Sequence, residues 1–397
     1  MDRSRLRVIG VLGVGQVLVW GSTYYLPAVL AKPTADATGW PLAWVIGGLS
    51  LGLLLSGLVS PKVGDLIERH GGRPVLVGGA LLPALGQFGL AFAPNLPAYI
   101  GAWLVLGVAM GAGLYDPAFA ALGRMYGQEA RTAITSLTLI AGFASTICWP
   151  LSALMLERFG WRGACLGYAA LNLCLVVPIY ALGLPREVPR DPAPRRPRAS
   201  ADGAPLPANG LYALLFCLVA LSLTLASVIA AVVSVHLLTT LELRGVPLAT
   251  AVALGTLIGP CQVGARLIDL AVGQRFHPVW EMLVASVLVV VGLGVMFADT
   301  ASVLLGLVLY GAGIGLRSIV RGTLPLALFG PVGYASLMGR LGLPMLVAQA
   351  AAPSVGAVML DHFGADGLLA ALFWTAVATL VSGALLVPFA RARPAAR

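Results

Sequence analysis

Apolar residues occur along the chain in runs of about 20 or more, the length a helix needs to cross roughly 30 Å of hydrocarbon, and short polar, glycine or proline breaks close each run. The pattern predicts helices over 8–31, 41–63, 75–93, 97–122, 132–156, 162–184, 211–241, 246–271, 279–298, 301–324, 334–360 and 367–390. Twelve such spans predict an all-α polytopic membrane protein. After the sixth span the chain turns polar, from Pro185-Arg186-Glu187-Val188-Pro189-Arg190 onwards to Gly210. Proline removes helical hydrogen bonds and clustered arginines repel one another, so an extended linker is expected there. The expected organisation is an N-terminal six-helix bundle over 1–184, a Pro/Arg-rich linker over 185–210 and a C-terminal six-helix bundle over 211–397.

The two halves resemble each other in sequence. Met155-Leu156-Glu157-Arg158-Phe159-Gly160 and Met359-Leu360-Asp361-His362-Phe363-Gly364 match at an offset of 204 residues, each closing the fifth span of its half. The same offset superposes Gly107 and Gly111 on Gly311 and Gly315 in the fourth spans. A match that recurs at the same place under one offset reads as a duplication. Small residues four apart let helix backbones approach closely in lipid, so these glycines are expected at helix contacts.

Composition places the chain in the bilayer, with 59% hydrophobic and 10% charged residues and a mean hydropathy of +0.92, against about 45–50% apolar residues in soluble domains. The net charge of +9 reports topology and not nucleic acid. Of 25 Lys and Arg residues, Lys32, Arg158, Arg162 and Arg244 alone fall on the side opposite the N terminus. The positive-inside rule then puts both termini in the cytoplasm, in a multi-pass protein of the inner membrane. The first apolar run lacks a small-residue cleavage site, so it is read as a retained helix. The five cysteines lie inside apolar runs without a CxxC pair, so neither disulfides nor a metal site is expected. No Walker loop, paired catalytic carboxylates or Ser/His/Asp arrangement is visible, so no enzyme activity and no cofactor is expected.

One polar cluster is dense enough to be a motif: Gly64-Asp65-Leu66-Ile67-Glu68-Arg69-His70-Gly71-Gly72-Arg73-Pro74. Its glycines permit a tight reversal, and its acids and bases can tie helix ends together. It resembles the signature loop between the second and third helices of the major facilitator superfamily. Gly64, Glu68, Arg69, Gly71 and Arg73 fit that pattern, with Glu68 where the family usually has aspartate, and Asp65 lies within the same conformational loop. The resemblance implies two pseudo-symmetric six-helix bundles and secondary transport by alternating access.

Charges at membrane depth are costly and mark solute pathways. Arg266 lies inside the eighth span, in Gln262-Val263-Gly264-Ala265-Arg266-Leu267-Ile268-Asp269. Its guanidinium stays charged and grips a carboxylate through two parallel hydrogen bonds. The placement is similar to the eighth-helix arginine of monocarboxylate porters and oxalate/formate antiporters, which implies a small organic anion as substrate. Those porters carry an aspartate one turn earlier, where this chain has Gln262. The alternative is that Arg266 pairs with Asp269 as a structural bridge. Gln16, Trp20, Tyr24 and Tyr25 of the first span share one face at helical spacing and are expected to line the cavity together with Trp149. Tyr24 and Tyr25 also suit the membrane interface.

Drug antiporters of the same superfamily usually carry an early arginine in the fourth span and a Gly-Pro pair in the fifth. Here those places hold Trp103-Leu104 and Trp149-Pro150. Efflux of a drug-like compound or a thiophilic metalloid stays the second reading, with Cys148 and Cys261 as the soft ligands. The repeat also places Asp116 on Val320, beside Arg321 and one turn from Arg317, so these three are expected to form an inner gate. The expected partners are a small-molecule substrate, the lipid bilayer and a coupling proton, with no nucleic acid and a monomeric chain.

Overall fold

The computed structural model describes residues 3–188, 209–298 and 302–391, and every long element among them is an α-helix. The first span is two helices, α1 (Arg3–Ser22) and α2 (Pro27–Thr38). Pro27 at the head of α2 has no N–H to donate back into the preceding turn, so the hydrogen-bond ladder of the first span is interrupted there and restarts. The second and third spans are α3 (Leu42–His70) and α4 (Gly72–Ala91), and the fourth is α5 (Leu96–Gly113) with α6 (Tyr115–Tyr126). The fifth and sixth run through α7 (Ala130–Ala141), α8 (Ala144–Leu171), a π-helical turn at Asn172–Val176 and α9 (Val177–Gly183).

The remaining elements are α10 (Asn209–Leu243), α11 (Leu248–Gly255), α12 (Ile258–Val272), α13 (Pro278–Ala298), α14 (Val303–Phe329), α15 (Tyr334–Ala384) and α16 (Val387–Arg391). Among the described residues, nine helical stretches are long and apolar enough to cross a membrane. Leu96–Gly183, at 88 residues, holds three spans, and Tyr334–Ala390, at 57, holds two, which gives the expected twelve. The breaks inside α8 and α15 fall at Gly160 (φ 68°, ψ 177°) and Gly364 (φ 67°, ψ −171°). These are the two positions that the repeat superposes, and only glycine adopts that backbone without strain.

The charged cluster at 64–73 is not an open loop. α3 continues through it to His70, and Gly71 alone (φ 90°, ψ 166°) separates α3 from α4. Polar residues beyond an apolar run still keep helical hydrogen bonds, and one residue with positive φ suffices for the reversal. Of the expected linker, residues 189–208 lie outside the described residues.

The chain divides into two compact units, residues 1–193 with 331–350, and residues 194–330 with 351–397. In the first unit Leu30, Val45, Leu90, Trp103, Leu106 and Tyr168 pack in one apolar cluster, and in the second Ile229, Val289, Leu293, Leu307 and Leu368 do so. Helix crossings within each unit use the predicted glycines. A Cβ at Gly107 would stand 2.5 Å from the Gly52 carbonyl, and one at Gly315 would stand 2.5 Å from the Gln262 carbonyl. Large apolar side chains such as Leu85, Phe92, Leu182 and Trp374 remain exposed, a surface suited to lipid.

Candidate solute and coupling sites

In the first unit α5 ends at Leu114, whose extended backbone (φ −83°, ψ −157°) separates it from α6. Pro117 has no N–H to donate back to the Gly113 carbonyl, and Gln16 of α1 fills that gap. Its Nε2 donates to the Gly113 carbonyl at 2.5 Å and to the Leu114 carbonyl at 3.4 Å. Trp20 Nε1 donates to Gln16 Oε1 at 3.1 Å, which fixes the indole over the break. Around Trp20 stand Tyr24, Tyr25 and Tyr115, at ring-centroid distances of 5.3, 5.8 and 5.0 Å. Tyr25 meets Trp149 edge-on at 6.3 Å, and Tyr115 stacks on Phe119 at 5.2 Å.

Gln349 Nε2 reaches the Tyr24 hydroxyl at 3.3 Å. Trp149 is 47% exposed and lines an apolar cavity of about 540 Å³ with Ala28, Val29 and Pro150. The structure clusters Gln16, Trp20, Tyr24 and Tyr25 of the first span, and Trp149 joins them through Tyr25. Sequence reading passed over Tyr115 and Phe119. Their i,i+4 pairing just after a glycine run was the available signal.

In the second unit Arg266 is buried on α12. Its Nη2 donates to Gln262 Oε1, one turn earlier, at 3.3 Å, and its Nε to the Gly315 carbonyl of α14 at 3.4 Å. Gly315 packs against the Gln262 backbone where α14 crosses α12, so the helix crossing places the guanidinium. Asp269 is buried one turn on, its carboxylate over Gly273.

The charged cluster of α3 is organised by a residue outside it. Arg124 of α6, buried at the end of the fourth span, donates from Nε to Glu187 Oε2 at 2.9 Å, from Nη1 to the carbonyls of Ile67 and Glu68 at 2.9 and 2.5 Å, and from Nη2 to the Val188 carbonyl at 2.8 Å. The other oxygen of Glu187 accepts from Gly72 N at 2.7 Å, capping α4. One ion pair thus closes the C-terminus of α3 and the N-terminus of α4. Asp65 accepts from the Ser336 hydroxyl at 2.6 Å, Glu68 and Arg73 are half-buried, and Arg69 is exposed. Gly64 packs against the Ala335 carbonyl.

Asp116 is buried in the first turn of α6, with its Oδ2 and the Ser60 hydroxyl both close to Gly342. Arg317 is buried in α14 of the second unit, and Arg321 one turn on is half-buried. Among the described residues no group of three or more His, Cys, Asp or Glu side chains is placed to hold a metal ion. Cys148 is buried and donates to the Val17 carbonyl at 3.4 Å, and Cys261 is half-buried on α12.

Twelve apolar helices, repeated glycine crossings and buried charge within the spans define a polytopic helical membrane protein. The chain belongs to the Major Facilitator Superfamily, whose family model matches residues 12–276. Among curated proteins it is similar to human monocarboxylate transporter 11, at 35% identity over 44% of this chain and 35% of that protein. The chain thus spans about a third of the length of the first such relatives. It is also similar to the multidrug resistance protein MdtH of Aeromonas hydrophila, at 27% identity over 87% of this chain and 86% of that one. Among solved structures the human organic anion transporter MFSD10 superposes with a TM-score of 0.75 at 18% identity, covering 96% of this chain and all of that one. The proton:xylose symporter XylE superposes with a TM-score of 0.71 at 13% identity, covering 97% of this chain and 95% of that one. At these identities the likeness shows the shared fold.

Proposed function

We propose that this transporter moves a small organic anion, such as a monocarboxylate, by alternating access of two rocking bundles, with Arg266 as the anchor for the carboxylate. The observation that carries this reading is the setting of Arg266. A guanidinium is buried at membrane depth and oriented by two neutral acceptors, the Gln262 amide and the Gly315 carbonyl. The Gln262 amide and the Gly315 carbonyl hold the guanidinium plane, and a planar fork of this kind can grip a carboxylate. The names of two relatives, a monocarboxylate transporter and an organic anion transporter, agree with that chemistry. In this reading the protein is a monomer of the inner membrane with both termini cytoplasmic, and a proton is the coupling ion.

Efflux of a drug-like compound is the second reading, favoured by the apolar cavity beside Trp149 and by the MdtH relative that matches most of the chain. The Trp20 cluster is the candidate surface for the organic part of either solute. Uptake of radiolabelled pyruvate into proteoliposomes, with and without an imposed pH gradient, decides between them. The anion reading expects saturable uptake that Arg266→Ala abolishes while folded protein is retained. Uptake at the level of empty liposomes, joined to drug sensitivity of a deletion strain, would favour efflux.

A further inference from the structure

The repeat places one position of the fourth span opposite a charge in the tenth. At an offset of 204, Gly113 corresponds to Arg317. In the first unit the polar contact between the first and fourth spans is neutral and closed, because the Gly113 carbonyl accepts the Gln16 amide at 2.5 Å. In the second unit the seventh and tenth spans meet through Arg317, whose Nη2 donates to the Ser222 carbonyl at 3.3 Å. Arg317 is 7% exposed. Its Nε has no hydrogen-bond partner, and no carboxylate among the described residues pairs with it. The Ser222 hydroxyl is turned away, towards the Met282 sulfur at 3.8 Å.

A guanidinium cannot shed its proton at physiological pH, and a buried cation answered by one long bond to a neutral carbonyl is costly at membrane depth. Its placement demands a negative partner that the described residues do not supply there. We propose that Arg317 is an anion-binding residue, whose Nε–H and remaining donors take a small monovalent anion. The anion is the carboxylate of the transported solute or an inorganic halide. The carboxylate case rests on the organic-anion reading above, and the halide case does not. Arg266 of α12 packs on α14 at Gly315, and Arg317 stands two residues on, about 200° around that helix, so the two address different faces of α14. Each therefore acts on its own side.

The test is the unfolding temperature of the purified full-length protein in a Hepes buffer without added salt, titrated separately with sodium pyruvate and sodium chloride. One of the two should raise the wild-type unfolding temperature. In Arg317→Gln the midpoint of that rise should move to at least about tenfold higher concentration, the loss expected for a charge-assisted fork. Without added anion the same variant should unfold at or above the wild-type temperature, because it no longer buries an uncompensated charge. The proposal is overturned if the wild-type midpoint persists in Arg317→Gln, or if neither anion stabilises the wild type. It is overturned too if Arg317→Gln loses stability while its anion response is intact. Should Arg317→Gln not fold, Arg317→Lys decides, since an unchanged response in it would deny the fork any role. A protein that moves no organic anion, yet has a chloride response that Arg317→Gln removes, would defeat the organic-anion reading alone. Pyruvate transport abolished by Arg266→Ala, beside a response indifferent to residue 317, would defeat this proposal alone.

Discussion

Arg124 and Arg266 are both buried guanidinium groups, and their surroundings give them different work. Arg124 has its charge answered by a carboxylate and three more of its donors taken by carbonyls, so it has little to offer a solute. Removing one partner of such a buried pair strands the other, which costs about 3–5 kcal/mol. Arg124→Ala should therefore lower the unfolding temperature of the purified protein sharply, and an unchanged temperature would show that the pair is dispensable. Arg266 is the proposed carboxylate anchor, so Arg266→Lys should keep the charge, lose the fork and lower anion uptake about tenfold. Full uptake by the lysine variant would end the carboxylate assignment. Arg266 was legible in the sequence because it interrupts an apolar run. Arg124 was not, since an arginine at the end of a run reads as a topology signal, and Glu187 lies 63 residues away in a stretch that reads as linker.

Among elements, the glycine crossings were legible and the helix ends were not. The spacing of Gly311 and Gly315 gave the face on which α14 meets α12, because only backbone can fill the space a missing Cβ leaves. Gly315→Leu should prevent that approach, since even its Cβ would stand 2.5 Å from the Gln262 carbonyl. Overpacking of this kind costs about 1–3 kcal/mol where neighbours can move and more where the obstacle is backbone. The measurement is the yield of monodisperse folded protein, and a wild-type yield would contradict the crossing. Hydropathy could not reveal the breaks at Thr23–Leu26 and Leu114, because apolar composition continues across them. Those breaks matter for the candidate site. At the one by Leu114 the Gly113 carbonyl positions Gln16, which in turn holds Trp20, so Trp20→Ala should raise the solute KM with less effect on kcat, read in the same uptake assay.

At the scale of the whole molecule the twelve spans and the duplication follow from run length and one offset. The repeat extends to backbone geometry. Gly160 and Gly364 share one conformation, and in both places the phenylalanine before the turn lies against the glycine three residues after it, Phe159 on Gly163 and Phe363 on Gly367. Gly160→Ala and Gly364→Ala should each cost about 1 kcal/mol or more, because both force a Cβ into a positive-φ turn. Unequal losses in thermal unfolding would mean that the two turns do different jobs. The assignment of 331–350 to the first unit was not legible, since hydropathy marks where a helix runs and not what it packs against.

The Arg124 contacts also impose an order in time. Two of its acceptors, the Ile67 and Glu68 carbonyls, are synthesised before it, whereas Glu187 and Val188 follow by more than 60 residues. A nascent chain that has inserted its first four spans holds Arg124 without its counter-ion until Glu187 leaves the ribosome. The six spans before the linker are therefore completed by the first few residues after them. Ribosome-arrested chains exposing residue 188 should resist protease at the α3–α4 junction, and chains exposing no more than residue 184 should be cut there.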